Sequence, residues 1–156
     1  DDWEEGDTHL YGILDMNGGI TGIVRNAGKL AERPIADLRA AADAADEDGP
    51  GRAASGAFLS AGIAIARGLS YLVQFAGPSH VVLYAPEILI NKERRGGRVF
   101  LGQVSKFKEA VAFEAFRYCD LVVRPIEVDN GGAHGVALAA LRRCFHLGRQ
   151  RAGAPT

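Results

Sequence analysis

The sequence predicts an α/β fold, with a mixed sheet that opens on a β-hairpin or meander and carries helices on its faces. The main observation is the stretch from Ala57 to Glu87, AFLSAGIAIARGLSYLVQFAGPSHVVLYAPE, which reads as a long helix, a Gly-Pro break and one strand. Ser60, Arg67, Ser70 and Gln74 fall on one narrow stripe at helical period while everything else is apolar or small, so this helix is expected to be covered on most of its circumference. Gly77-Pro78 stops it, because proline lacks an amide donor and disfavours helical geometry in the residue before it. Val81-Val82-Leu83-Tyr84 then forms a short apolar run bounded by turn residues, the pattern of a central strand covered on both faces. The second observation lies nearer the start. His9–Leu14 and Ile20–Val24 are β-prone runs joined by Asp15-Met16-Asn17-Gly18-Gly19, and Asn-Gly is a strong hairpin signal.

In chain order, residues 1–7, DDWEEGD, form an acidic lead-in whose only buriable group is Trp3, the pattern of a terminus or linker. After the two β-prone runs, a further turn is expected at Asn26-Ala27-Gly28, completing a meander. Residues 36–54 are an acidic low-complexity segment with good helix formers early. Asp43, Asp46, Glu47 and Asp48 crowd its carboxyl end, where acid opposes the helix dipole, so the last turn is expected to fray into solvent. These acids lack the alternating spacing and glycine of a calcium loop. After Glu87, the basic residues Lys92, Arg94, Arg95 and Arg98 surround Gly96-Gly97, a solvated connection or a meeting point for a phosphate or an acidic partner.

Phe100, Leu101, Val104, Phe107 and Val111 share one helical face, and the register breaks at Phe113 and Phe116, which places a helix end near Lys108 to Val111. Leu121-Val122-Val123-Arg124-Pro125 is a second strand closed by its proline. A last helix is expected after Asp129 or Asn130, with Ala137, Leu138, Leu141 and Phe145 inward. Residues 149–156 read as a tail.

A chain of 156 residues is long enough for one domain. A net charge of −1 excludes general electrostatic attraction to nucleic acid or an anionic membrane. Cys119 and Cys144 are far apart without metal-ligand spacing, so no zinc motif and no disulfide framework is expected, and a cytoplasmic, reducing compartment fits. Nothing in the sequence targets a membrane. The chain opens on Asp1 and its single methionine is Met16, as expected of a piece of a longer protein.

The order of elements, taken with the hairpin YGILDMNGGITGIVRNAGKL, the segment GAFLSAGIAIARGLSYLVQFAGPSHVVLYAPEIL and the ending CDLVVRPIEVDNGGAHGVALAALRRCF, resembles the carboxyl-terminal lobe of the ROK family. That family comprises sugar kinases and sugar-responsive transcriptional repressors of the sugar kinase, Hsp70 and actin superfamily. The resemblance implies a ribonuclease H-like single lobe of the actin-like ATPase fold over residues 8–148. It also implies that Asn17, Gly18, Gly19, Thr21 and Gly22 occupy the place of a glycine-rich turn that approaches nucleotide phosphates, although Asn-Gly also suffices for a plain tight turn. Where family kinases have glycines that admit the adenosine, this chain has Ala85-Pro86-Glu87. The family's Glu-x-Gly-His sugar contact and its cysteine-rich zinc segment have no counterpart, and its catalytic aspartate belongs to a lobe outside this sequence.

No catalytic residues or metal ligands are therefore assigned. His9, His80 and His134 lack an evident partner carboxylate, His134 lies in a glycine-rich helix start, and Cys119 and Cys144 suit small buried hydrophobes. The expected function is that of a catalytically degenerate lobe in ligand sensing, dimerisation or domain packing, as part of a transcriptional regulator. The alternative is the lobe of an ATP-dependent sugar kinase, which keeps affinity for ATP with magnesium through the turn at residues 17–22 and the loop after Tyr84 and binds a sugar together with a partner lobe outside this sequence. Self-association through the apolar long helix or through Phe113 and Phe116 is expected, and no DNA contact is.

Overall fold

The computed structural model describes residues 18–111 and 117–126. By its contacts the chain divides into two compact units, Asp1–Pro125 and Ile126–Thr156. Every element below belongs to the first. The lead-in, the run His9–Leu14, Asn17, Phe113, Phe116, His134, Cys144, the predicted last helix and the tail lie outside the described residues.

The elements are helices α1 (Ile20–Ala31) and α2 (Leu38–Asp46), a 3-10 turn (Pro50–Ala54), helix α3 (Ser55–Ala76), strand β1 (His80–Ala85), the single turn α4 (Glu87–Ile90), helix α5 (Arg95–Val104), a second 3-10 stretch (Ser105–Ala110) and strand β2 (Asp120–Pro125). The class is α/β. β1 and β2 pair in parallel, with Val82 opposite Val122, and α4 and α5 supply the crossover that a parallel pair requires. α3 ends where the Gly-Pro break predicts, with Gly77 in the left-handed region (φ 57°) donating its amide to the Val73 carbonyl at 2.9 Å. The helical path begun in α5 runs on as 3-10 to Ala110, close to the expected end. β2 closes on Pro125.

Several expectations need correction. Ile20–Val24, expected as the second strand of a hairpin, is the first half of α1, and the turn expected at Asn26-Ala27-Gly28 lies inside the same helix. Ile20, Gly22 and Val24 alternate as a strand would, but Ile23, Ala27 and Ala31 recur every fourth residue. All three are buried against a core shared with α2 and α3, so the helical register removes more apolar surface from water. The helix ends on Glu32 in the left-handed conformation (φ 53°), a position that glycine or asparagine usually signals.

The second correction concerns α3. Its first half packs closely through Ala57, Phe58, Ala61 and Gly62, but Tyr71 and Leu72 are exposed and Phe75 is 96% exposed. The exposure is one-sided: Leu69, Ser70 and Val73 stay buried in the same turns, so α3 is covered along one face and open along the other. By length and composition Pro50–Ala76 would suffice to cross a membrane, yet 44% of its apolar window is buried within the protein. The third correction is β1, expected to be covered on both faces. Its burial alternates, with His80, Val82 and Tyr84 exposed while Val81 and Leu83 pack on the core.

The charged segments at residues 43–48 and 92–98, expected as solvated stretches, pair with one another. Arg94 donates from Nε to the Asp46 carboxylate at 2.8 Å and from Nη2 to the Asp43 carboxylate. Asp46 also accepts the backbone amide of Arg95 at 2.7 Å, and the Arg95 guanidinium donates to the carbonyls of Ala45 (2.9 Å) and Glu47 (2.8 Å). Asp46 is the last residue of α2 and Arg95 the first of α5. Each side chain thus caps the other helix: an acid that opposes the dipole of α2 satisfies the amino end of α5, and a base that opposes the dipole of α5 satisfies the carboxyl end of α2. Gly96 and Gly97, read as part of a connection, are buried in the first turn of α5.

This exchange sets an acid dependence. Partial burial pushes the Asp46 carboxyl up, but the hydrogen bonds from Arg94 and the Arg95 amide, with the charges of both arginines, outweigh it and hold the group below its ordinary value. The unfolded chain then binds the proton more readily than the folded one, so this stabilisation is present above about pH 4 and is lost as pH falls through the depressed folded value. Urea midpoints measured across the acid range should fall with pH in the wild type and fall less steeply in Asp46→Asn. Equal slopes would show that the carboxylate contributes nothing.

Candidate functional site

The glycines predicted to approach phosphates reach a cleft of about 380 Å³ that they share with the end of β1. On one side are Gly18, Gly19, Ile20 and Thr21, and on the other are Leu83, Tyr84, Ala85 and Pro86. Two segments that the sequence analysis singled out separately thus line one site. Its inner wall is hydrocarbon, from Ile65 on α3, Leu89 on α4 and Phe100 on α5. Gly22 lies one residue beyond this lining and is buried in α1.

The geometry differs from a hairpin turn. Gly19 is the extended residue before α1 (φ −76°, ψ 163°), its carbonyl accepts the Ile23 amide at 3.0 Å, and as a glycine it supplies no side-chain cap to this helix start. The first-turn amides therefore face the amino end of the helix, an arrangement that favours a negatively charged or hydrogen-bond-accepting group. Gly18 is a close approach: a Cβ there would stand 3.2 Å from Ile65 Cδ1. Opposite, the cleft lies at the carboxyl end of a parallel strand, where open α/β sheets commonly receive ligands. Pro86 offers no amide on that side. Among the described lining residues the polar side chains are the hydroxyls of Thr21 and Tyr84, and none is a carboxylate or a cation.

The isolated candidates stay apart from this cleft. His80 opens β1, with Nδ1 2.9 Å from the Ser79 hydroxyl and Nε2 3.6 Å from the Asp120 carboxylate across the strand pair. Both side chains are about two-thirds exposed, at 67% and 68%. Cys119 is buried with its Sγ 3.7 Å from the Asp120 carbonyl, and burial pushes its thiol up, which leaves it in the unreactive protonated form. Among the described residues no group of three or more histidine, cysteine, aspartate or glutamate side chains is placed to hold a metal ion.

No family model matches the chain, and neither a curated protein nor a solved structure matches it.

The charge exchange between α2 and α5 has no signature in the sequence, and neither does the separation of the cations that stay out of it. Arg94 and Arg95 are held by aspartates, whereas Lys92, Arg98 and Lys108 enter no ion pair among the described residues. The sequence grouped Lys92 and Arg98 with the two paired arginines, and nothing in their spacing separates the two sets.

Proposed function

We propose that this chain is a non-catalytic, ribonuclease H-like lobe related to the ROK family, and that its cleft serves ligand sensing within a larger regulator. The observation that carries this reading is the make-up of the cleft: a helix start that Gly19 leaves without a side-chain cap at one end, hydrocarbon walls, and Pro86 where a nucleotide would need close approach of the backbone. Such a site suits a small ligand with one acceptor group and an apolar body. Phosphoryl transfer asks for more, namely a positioned base, metal ligands and phosphate donors acting together. The order of long helix, strand, crossover helix and parallel strand supports the fold relationship.

The alternative, the lobe of an ATP-dependent sugar kinase, makes a separate demand on the same residues. Calorimetric titration with magnesium-ATP is expected to give only heats of dilution, in the wild type as in a Gly18→Val/Gly19→Val variant. Saturable binding that the variant loses would reverse the order of the two readings.

A role in subunit contact is favoured by a second observation. Tyr71, Leu72 and Phe75 form one exposed apolar face on the last turns of α3, and sizeable apolar surface of this kind commonly meets another chain.

A further inference from the structure

A second concavity, of about 1140 Å³, lies on the other side of α5 from the cleft. Its floor is apolar, formed by Ile90, Leu101, Val104, Phe107, Leu121 and Val123, and its rim carries Lys92, Arg98 and Lys108. The ammonium of Lys108 stands 6.0 Å from the centre of the Phe107 ring. Asp120 lies on the same rim beside His80. None of these three cations enters an ion pair among the described residues. A hydrocarbon floor with a cationic rim fits a partner that is aromatic at its centre and acidic around it.

The chain contains one such segment. In Asp1–Asp7 the single tryptophan, Trp3, is flanked by Asp1, Asp2, Glu4, Glu5 and Asp7. We propose that this groove is the docking site of the chain's own acidic lead-in, with the Trp3 indole on the apolar floor and the acids facing Lys92, Arg98 and Lys108. Reach is ample. Ala85 lines the cleft together with Gly18, and His80, at the other end of the same strand, lines the groove, a separation of about 17 Å along β1. Extended chain from Gly18 back to Trp3 spans up to about 50 Å. Tethering also raises the local concentration of the segment, so each contact need only be weak. The contact is electrostatic at its rim and apolar at its centre, so salt should loosen it. This inference is independent of the cleft's role.

Because Trp3 is the only tryptophan, its fluorescence in the full chain reports the docking directly. The expected result is blue-shifted emission with little acrylamide quenching, unchanged on dilution of the protein. Lys92→Glu/Arg98→Glu/Lys108→Glu, or high salt, should move the emission to the red and raise quenching severalfold while the far-ultraviolet circular dichroism holds. Should that variant fail to fold, Glu4→Lys/Glu5→Lys alters only the lead-in and should release the indole in the same way. Where both sets fold, combining them should restore protection. A freely quenched Trp3 in the wild type would overturn the proposal, as would a protected one indifferent to both charge reversals. Quenching that rises on dilution would overturn it too, because the occupant would then be the lead-in of a second copy.

Discussion

Gly62→Ala is expected to lower the thermal midpoint by several degrees, even though alanine is the better helix former. Gly62 lies in α3 where that helix meets α5, and a Cβ there would stand 2.7 Å from the Phe100 carbonyl oxygen and 2.8 Å from Gln103 Cβ. The first of these is backbone, so relief requires the two helices to separate rather than a side chain to swing aside. Overpacking of this kind costs roughly 1–3 kcal/mol, against a gain of up to about 1 kcal/mol in helix propensity. Gly102→Ala is the control. It makes the same change on α5, where nothing lies within 4 Å of the added methyl, so propensity acts alone and the midpoint should rise. Paired calorimetric scans decide the matter. If Gly62→Ala raises the midpoint as Gly102→Ala does, the α3–α5 approach is looser than these distances.

Phe58→Ala is expected to cost about 3–5 kcal/mol, a large share of the roughly 5–15 kcal/mol that holds a typical domain together. Phe58 is fully buried in the first half of α3, and its ring is the surface against which Gly96 sits, with a Cβ at Gly96 meeting ring carbons at 3.0 Å. The two positions therefore share one volume. Gly96→Ala alone should be destabilising because the ring must give way. In the Phe58→Ala background the added methyl should enter the space the ring has left and cost much less. Urea unfolding of the two single variants and the double variant gives the coupling. Additivity within about 0.5 kcal/mol would show that ring and glycine do not meet. Phe58→Leu serves the same cycle if the alanine variant is unfolded.

Much of the second half of the described unit was legible from local chemistry. Gly77 and Pro78 stop α3 for reasons written in their own backbones, and Pro125 ends β2 likewise. The first half was less legible because two periodicities overlap in it. Ile20, Gly22 and Val24 spell a strand, while Ile23, Ala27 and Ala31 spell a helix, and the choice depends on a core contributed by α2 and α3, distant in sequence. Glu32, which ends α1 in a left-handed conformation, carries no sequence signal for doing so.

At the candidate site, the sequence marked Gly18, Gly19 and Thr21, and separately Ala85 and Pro86. That they share a cleft is a property of the assembled helices. The pairing of Arg94 with Asp43 and Asp46 was hidden for a related reason: the partners are 51 and 48 residues apart, and charge at that separation has no period to read.

The exchange of end groups between α2 and α5 bears on how this unit assembles. Neither helix is complete by itself, since each carries at its terminus the charge that discourages its own last or first turn. Each gains this terminal partner only once the other has arrived from about fifty residues away along the chain. The crossover that sets β2 beside β1 runs through α5, so formation of the strand pair is tied to formation of α2, an element that touches neither end of the sheet's own sequence. Fragments cut between the two helices should lack an incentive to fold. The unit is therefore expected to unfold as one cooperative block, with a single transition in both circular dichroism and calorimetry.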